Sequence, residues 1–252
     1  MTKKDTSWEE VEGWYSSCVG EKGHYYHRTL ILPNALRLLG IGKPPLSVLD
    51  LGCGQGVFAR ALPPATDYCG IDASPSLIKE AKKQMRHPSF RFFAADATEA
   101  LPIDKKNFDC ALFLLSLQNM ERQDKAIANA RAHLRKGGHL LLVLNHPCFR
   151  IPRQSSWGID EKSKIQYRKV QRYMSPMKIP IQMNPGKTDS AQTFSFHHSL
   201  ADTISFLTKA NFSVTALEEW CSDKKSTGPK AKMEDRARSE IPLFLALLAR
   251  AD

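Results

Sequence analysis

The sequence predicts a doubly wound, mostly parallel α/β sheet, and three observations predict it. The stretch 46–62, LSVLDLGCGQGVFARAL, passes from a short β-forming apolar run into glycines at 52, 54 and 56, then into apolar residues at helical spacing. Two further apolar runs, 68–71 and 90–94, lead into acids, Asp72 and Asp96. From there to residue 144 strand and helix patterns keep alternating, which lays consecutive strands parallel in one sheet. Asp50, Asp72 and Asp96 then meet at the carboxyl edge of that sheet, where such sheets bind ligands.

Taken in order, the chain up to Gly40 carries Trp8, Trp14, Tyr15, Tyr25 and Tyr26, and the spacing of apolar residues over 29–39 predicts a helix from about Pro33 that Gly40 stops. In the loop 52–56, glycine lets the chain turn sharply and lets a ligand lie against bare backbone. The free N–H groups opening the next helix attract an anionic group. Pro63 and Pro64 end that helix. Pro75 suits the first turn of another, with Ser76 as its cap and Leu77, Ile78 and Ala81 inward. The span 97–107 is a short link. Residues 123–136 form the following helix, with Ala126, Ile127, Ala130 and Leu134 on one side, closed by Gly137 and Gly138 before a fifth strand.

From 146 to 192 the alternation breaks, with Pro147, Pro152, Pro176, Pro180 and Pro185 interrupting any long helix. An insertion after the fifth strand overhangs the ligand-binding edge, so this span reads as a cap over a substrate, or else as a surface excursion. Residues 200–207 read as a helix, 212–217 as a sixth strand and 242–249 as a seventh. One domain over 1–252 is expected, made of a leading segment 1–45, a binding core 46–145, the cap 146–192 and closing core elements 193–252.

The six cysteines, Cys18, Cys53, Cys69, Cys110, Cys148 and Cys221, form no Cys-x-x-Cys pair, which argues for reduced, packed thiols; neither a disulfide frame nor a metal site is expected. Residues 1–10 are polar and charged, unlike a secretory leader, and the apolar runs near 140–144 and 241–249 are too short to cross a bilayer. A cytoplasmic protein is expected.

The spacing Asp-x-Gly-x-Gly-x-Gly at 50–56 differs from the Gly-x-Gly-x-x-Gly of a dinucleotide fold. It resembles motif I of the class I S-adenosylmethionine-dependent methyltransferases, of the small-molecule type similar to methyltransferase domains 11 and 25. The likeness continues through 108–120, FDCALFLLSLQNM, and 134–144, LRKGGHLLLVL. It implies a seven-stranded Rossmann-like sheet whose last strand is antiparallel and lies between the fifth and sixth. It implies S-adenosylmethionine as cofactor, with Asp50 beside the loop, Gly52, Gly54 and Gly56 along the methionine half, Asp72 with Ala73 at the ribose, Asp96 with Ala97 at the adenine, and Leu115 in the same pocket. In such enzymes a leading segment folds over the cofactor. Arg28 is then a candidate for the methionine carboxylate, with His24 and His27 towards the acceptor, unless all three decorate a solvated helix.

Methyl transfer from a sulfonium discharges its positive charge, so alignment and exclusion of water matter most, and some members add a base. For an acceptor that must lose a proton, His146 just beyond the fifth strand is the first candidate, followed by His197 and His198. The alternative for His146 is a strand-end residue bonded to backbone. The net charge of +10 gathers in two groups. Arg150, Arg153, Lys162, Lys164, Arg168, Lys169, Arg172 and Lys178 crowd the insertion, and Lys224, Lys225, Lys230, Lys232, Arg236 and Arg238 crowd the link before the last strand. With Tyr167 and Tyr173 interleaved, such a rim suits RNA phosphates, an acidic metabolite or an anionic membrane surface, or is simply a solvated face.

After the fourth strand the chain reads Leu115-Ser116-Leu117-Gln118, without the Asn/Asp-Pro-Pro-aromatic motif of amino-directed DNA methyltransferases. Cys148 stands where 5-methylcytosine RNA methyltransferases carry a nucleophile, but their Thr-Cys and Pro-Cys surroundings are missing. The stretch 92–138 is also similar to the menaquinone and ubiquinone C-methyltransferases. The leading expectation is an enzyme methylating a small or medium-sized acceptor at O, N or C. Quinone C-methylation, RNA methylation and a non-catalytic cofactor-binding module stand behind it, and the oligomeric state is left open.

Overall fold

The computed structural model describes residues 9, 24–41, 46–85, 87–182 and 192–252; the expectations placed on Trp8, Trp14, Tyr15, Cys18 and Pro185 lie outside the described residues. Five strands come first: β1 (Ser47–Leu51), β2 (Asp67–Asp72), β3 (Phe90–Ala94), β4 (Phe108–Leu114) and β5 (Leu134–Asn145). The insertion adds β6 (Ser155–Asp160), β7 (Ile165–Val170), β8 (Met177–Gln182) and β9 (Gln192–His197), and the chain closes with β10 (Phe212–Trp220) and β11 (Phe244–Ala251). The helices are α1 (Leu32–Leu38), α2 (Pro75–Gln84), α3 (Gln123–His133), α4 (Leu200–Lys209) and α5 (Ala231–Glu240).

The main sheet has the order β10-β11-β5-β4-β1-β2-β3. Strands β1 to β5 pair in parallel, and β11 runs antiparallel between β5 and β10, as the sequence resemblance implies. All five residues of β1 are buried, because helices cover both faces of a parallel sheet. Leu49, Leu51, Ile71 and Phe113 pack on one face with Ala126, Ile127 and Ala130 of α3 and Leu207 of α4. Val48, Tyr68, Leu112 and Val143 pack on the other with Ile31, with Ala35 of α1 and with Ile78 and Ala81 of α2. The two-residue period of the strands sends alternate side chains into two separate cores.

Several elements differ from the sequence expectation. The helix expected after the glycine loop is only a 3-10 turn, Ala59–Ala61. Gly56 is left-handed at φ 77° and Pro63 follows six residues after Val57, which leaves too few residues to nucleate an α-helix. The cap of α2 is Ser74, whose hydroxyl accepts from the Leu77 N–H, and Ser76 is already inside the helix. Gly137 and Gly138 do not close α3. They lie inside β5, at the register shift opposite Phe108 and Cys110, where a Cβ on Gly138 would stand 3.1 Å from the Asp109 carbonyl oxygen.

The proline-rich insertion is two hairpins, β6–β7 and β8–β9, each a two-stranded sheet. Pro180 sits in β8, which has only one hydrogen-bonding neighbour, so its missing N–H is tolerated there. The basic link before the last strand holds α5, built mostly of Ala, Lys, Met, Glu and Arg, with only Ala237 buried. Good helix formers make it a helix although no apolar stripe announces it. Among the described residues no helix is long and apolar enough to cross a membrane.

Candidate active site

The loop after β1 is tied to the end of β2 by its own backbone. The N–H groups of Gly52 and Cys53 both donate to the Ile71 carbonyl, at 2.7 and 3.0 Å. One residue further on, the Gly54 N–H donates to Asp72 Oδ2 at 2.8 Å, and the Ser74 N–H donates to Oδ1 at 2.9 Å. The Asp72 carboxylate thereby stitches the loop to the start of α2, and burial raises its pKa against those two N–H groups. Gly52, Gly54 and Gly56 take φ values of 77°, 54° and 77°, which L side chains rarely adopt. A Cβ at Gly52 would also stand 2.7 Å from Ser116 Oγ. Bare backbone at this point lets the loop after β4 close against the loop after β1, and Ser116 Oγ completes the contact by donating to the Leu51 carbonyl at 2.6 Å.

Asp50 lies beneath this loop, 1% exposed. Its Oδ2 accepts from Tyr68 Oη at 2.7 Å, while its Oδ1 is buried without a hydrogen-bond partner among the described residues. Burial, partly offset by Tyr68 and reinforced by Asp72, pushes its pKa up to about 7. The folded protein therefore keeps this proton at pH values where the unfolded chain, near 3.8, has lost it. Stability from this group is complete below pH 3.8 and is lost as pH rises towards 7. Comparing Asp50→Asn with wild type in urea titrations from pH 4 to 8, the difference is expected to move in the variant's favour by up to about 4 kcal/mol across pH 4–7 and then to level. A difference independent of pH would sink the assignment.

Around this centre, Ala73 is exposed beside Asp72, and the end of β3 is bonded to β2 through the Ala95 N–H and the Asp72 carbonyl at 2.9 Å. Asp96 is exposed just beyond, its Oδ1 accepting from the N–H and hydroxyl of Thr98, both at 2.8 Å, and Ala97 is buried. Leu115 is left-handed at φ 56°, a conformation that costs a branched L residue roughly 1–2 kcal/mol. It is held there by its N–H on the Val143 carbonyl at 2.8 Å and by Gln118 Nε2 on its own carbonyl at 3.0 Å. Strain of this kind at the end of β4 faces the glycine loop through Ser116.

The other candidates are placed apart from that centre. Arg28 is exposed on a π-helical turn, His27–Ile31, that leads into α1, and it makes no hydrogen bond to the loop 52–56 among the described residues. The neighbouring Tyr26 packs edge-on against Phe244 at 5.7 Å and bonds Ser222, on the β10–β11 side of the sheet. His24 is exposed; His27 is held neutral by burial, its pKa lowered to about 4.

His146 is 1% exposed, and both ring nitrogens are engaged. Nδ1 accepts from the Cys148 N–H at 3.2 Å, so the proton sits on Nε2, which donates to Glu219 Oε1 at 2.7 Å. Burial lowers its pKa in spite of Glu219. As placed, this imidazole has no nitrogen left to take a proton from an acceptor. His197 is buried, with Nε2 on the Tyr173 carbonyl at 2.7 Å. His198 is half-buried and packs on Phe206. Strand β9 meets the elements after β4: Gln123 Nε2 donates to the Phe196 carbonyl at 3.1 Å, and β9 packs on the turn Leu117–Asn119 that follows Ser116.

Sequence reasoning passed over Tyr68, Ser116 and Glu9 as parts of the site. Tyr68 read as a strand residue and Ser116 as part of a missing motif. Glu9, whose carboxylate accepts from the hydroxyls of Ser74 and Ser76 and from the Ser76 N–H at 3.1 Å, had no local pattern at all.

A seven-stranded sheet of this order, with its glycine loop and strand-end acids on one edge, defines the class I S-adenosylmethionine-dependent methyltransferase fold. Residues 48–138 match the family model described as "Methyltransferase domain". The phthiotriol/phenolphthiotriol dimycocerosates methyltransferase of Mycobacterium leprae is 31% identical over 146 residues, 56% of this chain and 49% of that protein. The demethylmenaquinone methyltransferase of Renibacterium salmoninarum is 32% identical over 108 residues, 42% of this chain and 44% of that protein. The chain thus spans less than half the length of these curated relatives. Among solved structures, an S-adenosylmethionine dependent methyltransferase from Mesorhizobium loti superposes with a TM-score of 0.66 at 23% identity, covering 86% of this chain and 96% of that one. That likeness is one of fold.

Proposed function

We propose that the chain is a methyltransferase that uses S-adenosylmethionine to methylate a small or medium-sized acceptor at O, N or C. The observation that carries this reading is the loop 52–56 stitched by Gly54 to the Asp72 carboxylate and lying over a buried Asp50, one of whose oxygens has no partner among the described residues. These residues fit the cofactor. Asp72 would offer acceptors to paired ribose hydroxyls, Asp96 and Ala97 would border the adenine, and the glycines would leave room for the methionine moiety against backbone. The buried Oδ1 of Asp50 suits a cationic neighbour, because a positive charge is what would draw the proton off a carboxyl held near pH 7. When bound, S-adenosylmethionine supplies a methyl group activated on a sulfonium.

The chain's own residues then position and shield. Leu115 and Ser116 bring the β4 loop over the site, and the β8–β9 hairpin packs behind that loop to exclude water. His146 acts as a positioning residue that fixes Glu219 and the turn to Cys148. Its imidazole is expected to titrate below 6.5 and to show the Nε2–H tautomer in heteronuclear NMR spectra at neutral pH; an ordinary or raised pKa with a free nitrogen would restore it as the base.

The function is tested by incubating the protein with methyl-labelled S-adenosylmethionine and a panel of hydroxy, amino and carboxy compounds, read by mass spectrometry. Labelled product is expected. No product from a protein that binds the cofactor would favour a regulatory binding module. Quinone C-methylation is the second reading, favoured by the match to the Renibacterium salmoninarum enzyme, and a demethylated naphthoquinone belongs in the panel.

A further inference from the structure

Beyond the end of β5 the chain turns into a recess of about 300 Å³ that the cofactor loop does not explain. Tyr26, Phe149, Trp157 and Leu243 wall it, and two arginines, Arg150 and Arg168, enter it from different elements. Arg150 stacks over the Phe244 ring at 5.2 Å and donates one hydrogen bond, Nη1 to the Leu243 carbonyl at 3.4 Å. Arg168 lies over the Trp157 ring at 5.2 Å, donating from Nε to the Phe149 carbonyl at 2.7 Å and from Nη2 to Ser155 Oγ at 2.8 Å. Neither guanidinium meets a carboxylate among the described residues. Two acids of the β10–β11 segment, Glu219 and Asp223, accept from His146 and Tyr25. A third cation, Lys224, sits over the Tyr26 ring at 5.1 Å.

Like charges are rarely brought together half-buried without a counter-ion, and burial together with Arg168 lowers the Arg150 pKa accordingly. A guanidinium has five N–H donors in a planar fork that matches a carboxylate or phosphate. Among the described residues, most of Arg150's fork and the Nη1 of Arg168 have no hydrogen-bond partner. The recess also has the right address. Phe244, under Arg150, pairs with Asn145 at the carboxyl end of β5, and two residues earlier Val143 holds the strained Leu115. The recess thus lies at the carboxyl end of β5, the strand that holds Leu115.

We propose that Arg150 and Arg168 form an anion-binding subsite for the acceptor, which carries a carboxylate or phosphate on an aromatic or apolar body that the walls of Tyr26, Phe149 and Trp157 hold. The assignment of the anion to the acceptor rests on the methyltransferase reading; the anion site itself does not. The anion is gripped by the two forks while the body stacks on the rings, which leaves the nucleophilic atom directed towards the β4–β5 end.

Calorimetric titration with benzoate, phenyl phosphate and the neutral benzamide tests this on the wild-type protein alone. At least one anion is expected to bind ten times or more tightly than benzamide, and which anion binds better distinguishes carboxylate from phosphate. Arg150→Gln and Arg168→Gln should each bring the anion's affinity down to that of benzamide while S-adenosylmethionine affinity is kept. Equal binding of all three probes, no binding of either anion at millimolar concentration, or undiminished anion binding by a folded double variant would overturn the proposal. Anion binding by a protein that fails to bind S-adenosylmethionine would uphold the subsite and remove the methyltransferase reading.

Discussion

Gly52→Ala is expected to cost about 2–5 kcal/mol of stability and to take cofactor binding with it. Two effects add at this position. The left-handed φ of 77° costs an L residue roughly 1–2 kcal/mol. The new methyl would also overlap Ser116, whose Oγ lies 2.7 Å from the ideal Cβ position, and overpacking a closed site costs about 1–3 kcal/mol. Relief requires the β4 loop to retreat, which breaks the Ser116 to Leu51 hydrogen bond and unseats Leu115. Gly40→Ala is the control, since Gly40 is also left-handed at φ 63° but a Cβ there meets nothing within 4 Å. Urea denaturation should show Gly40→Ala losing only the conformational part. Equal losses for the two variants would mean that the contact between the two loops has no energetic weight.

Asp72→Arg is expected to lower S-adenosylmethionine affinity more than a hundredfold. The carboxylate accepts from Gly54 N–H and Ser74 N–H in the free protein, and hydrogen bonds to a charged group are worth about 1.5–3 kcal/mol each, so losing two of them disorders the loop as well as the ribose contact. The milder Asp72→Asn keeps one acceptor but turns an N–H donor towards another, and an intermediate loss is expected. Both are checked by calorimetry alongside circular dichroism, because the raised pKa of Asp72 shows a carboxylate held at some cost, and the neutral variant should remain folded. Unchanged affinity in a folded Asp72→Arg variant would remove Asp72 from the site.

How much of this was legible in the sequence depended on the range of the interactions. Short apolar runs and the glycine spacing placed β1 to β4 and the strand-end acids, since each is a local pattern. The position of β11 between β5 and β10 came from the resemblance and not from periodicity. Gly137 and Gly138 misled because a strand bulge and a helix stop use the same residue. The helix α5 was missed because only Ala237 on it is buried, and the insertion hairpins because prolines exclude helix without specifying strand. For His146, position after the fifth strand suggested a base, but its chemistry depends on Glu219, seventy-three residues away in sequence, and on the Cys148 N–H. Likewise Arg150 and Arg168 looked like two members of a solvated basic run. Only the fold turns them inward towards Trp157 and Phe244, while Lys162, Lys164 and Lys169 of the same run are exposed.

The measurement that bears most directly on the central claim is calorimetric titration of the wild-type protein with S-adenosylmethionine and S-adenosylhomocysteine, with NADH as the control. Saturable binding of the first two, without binding of NADH, is the predicted result, and the affinity for S-adenosylmethionine should strengthen between pH 5.5 and 7 as Asp50 gives up its proton. A folded protein that binds neither compound, or that prefers NADH, would contradict the methyltransferase reading.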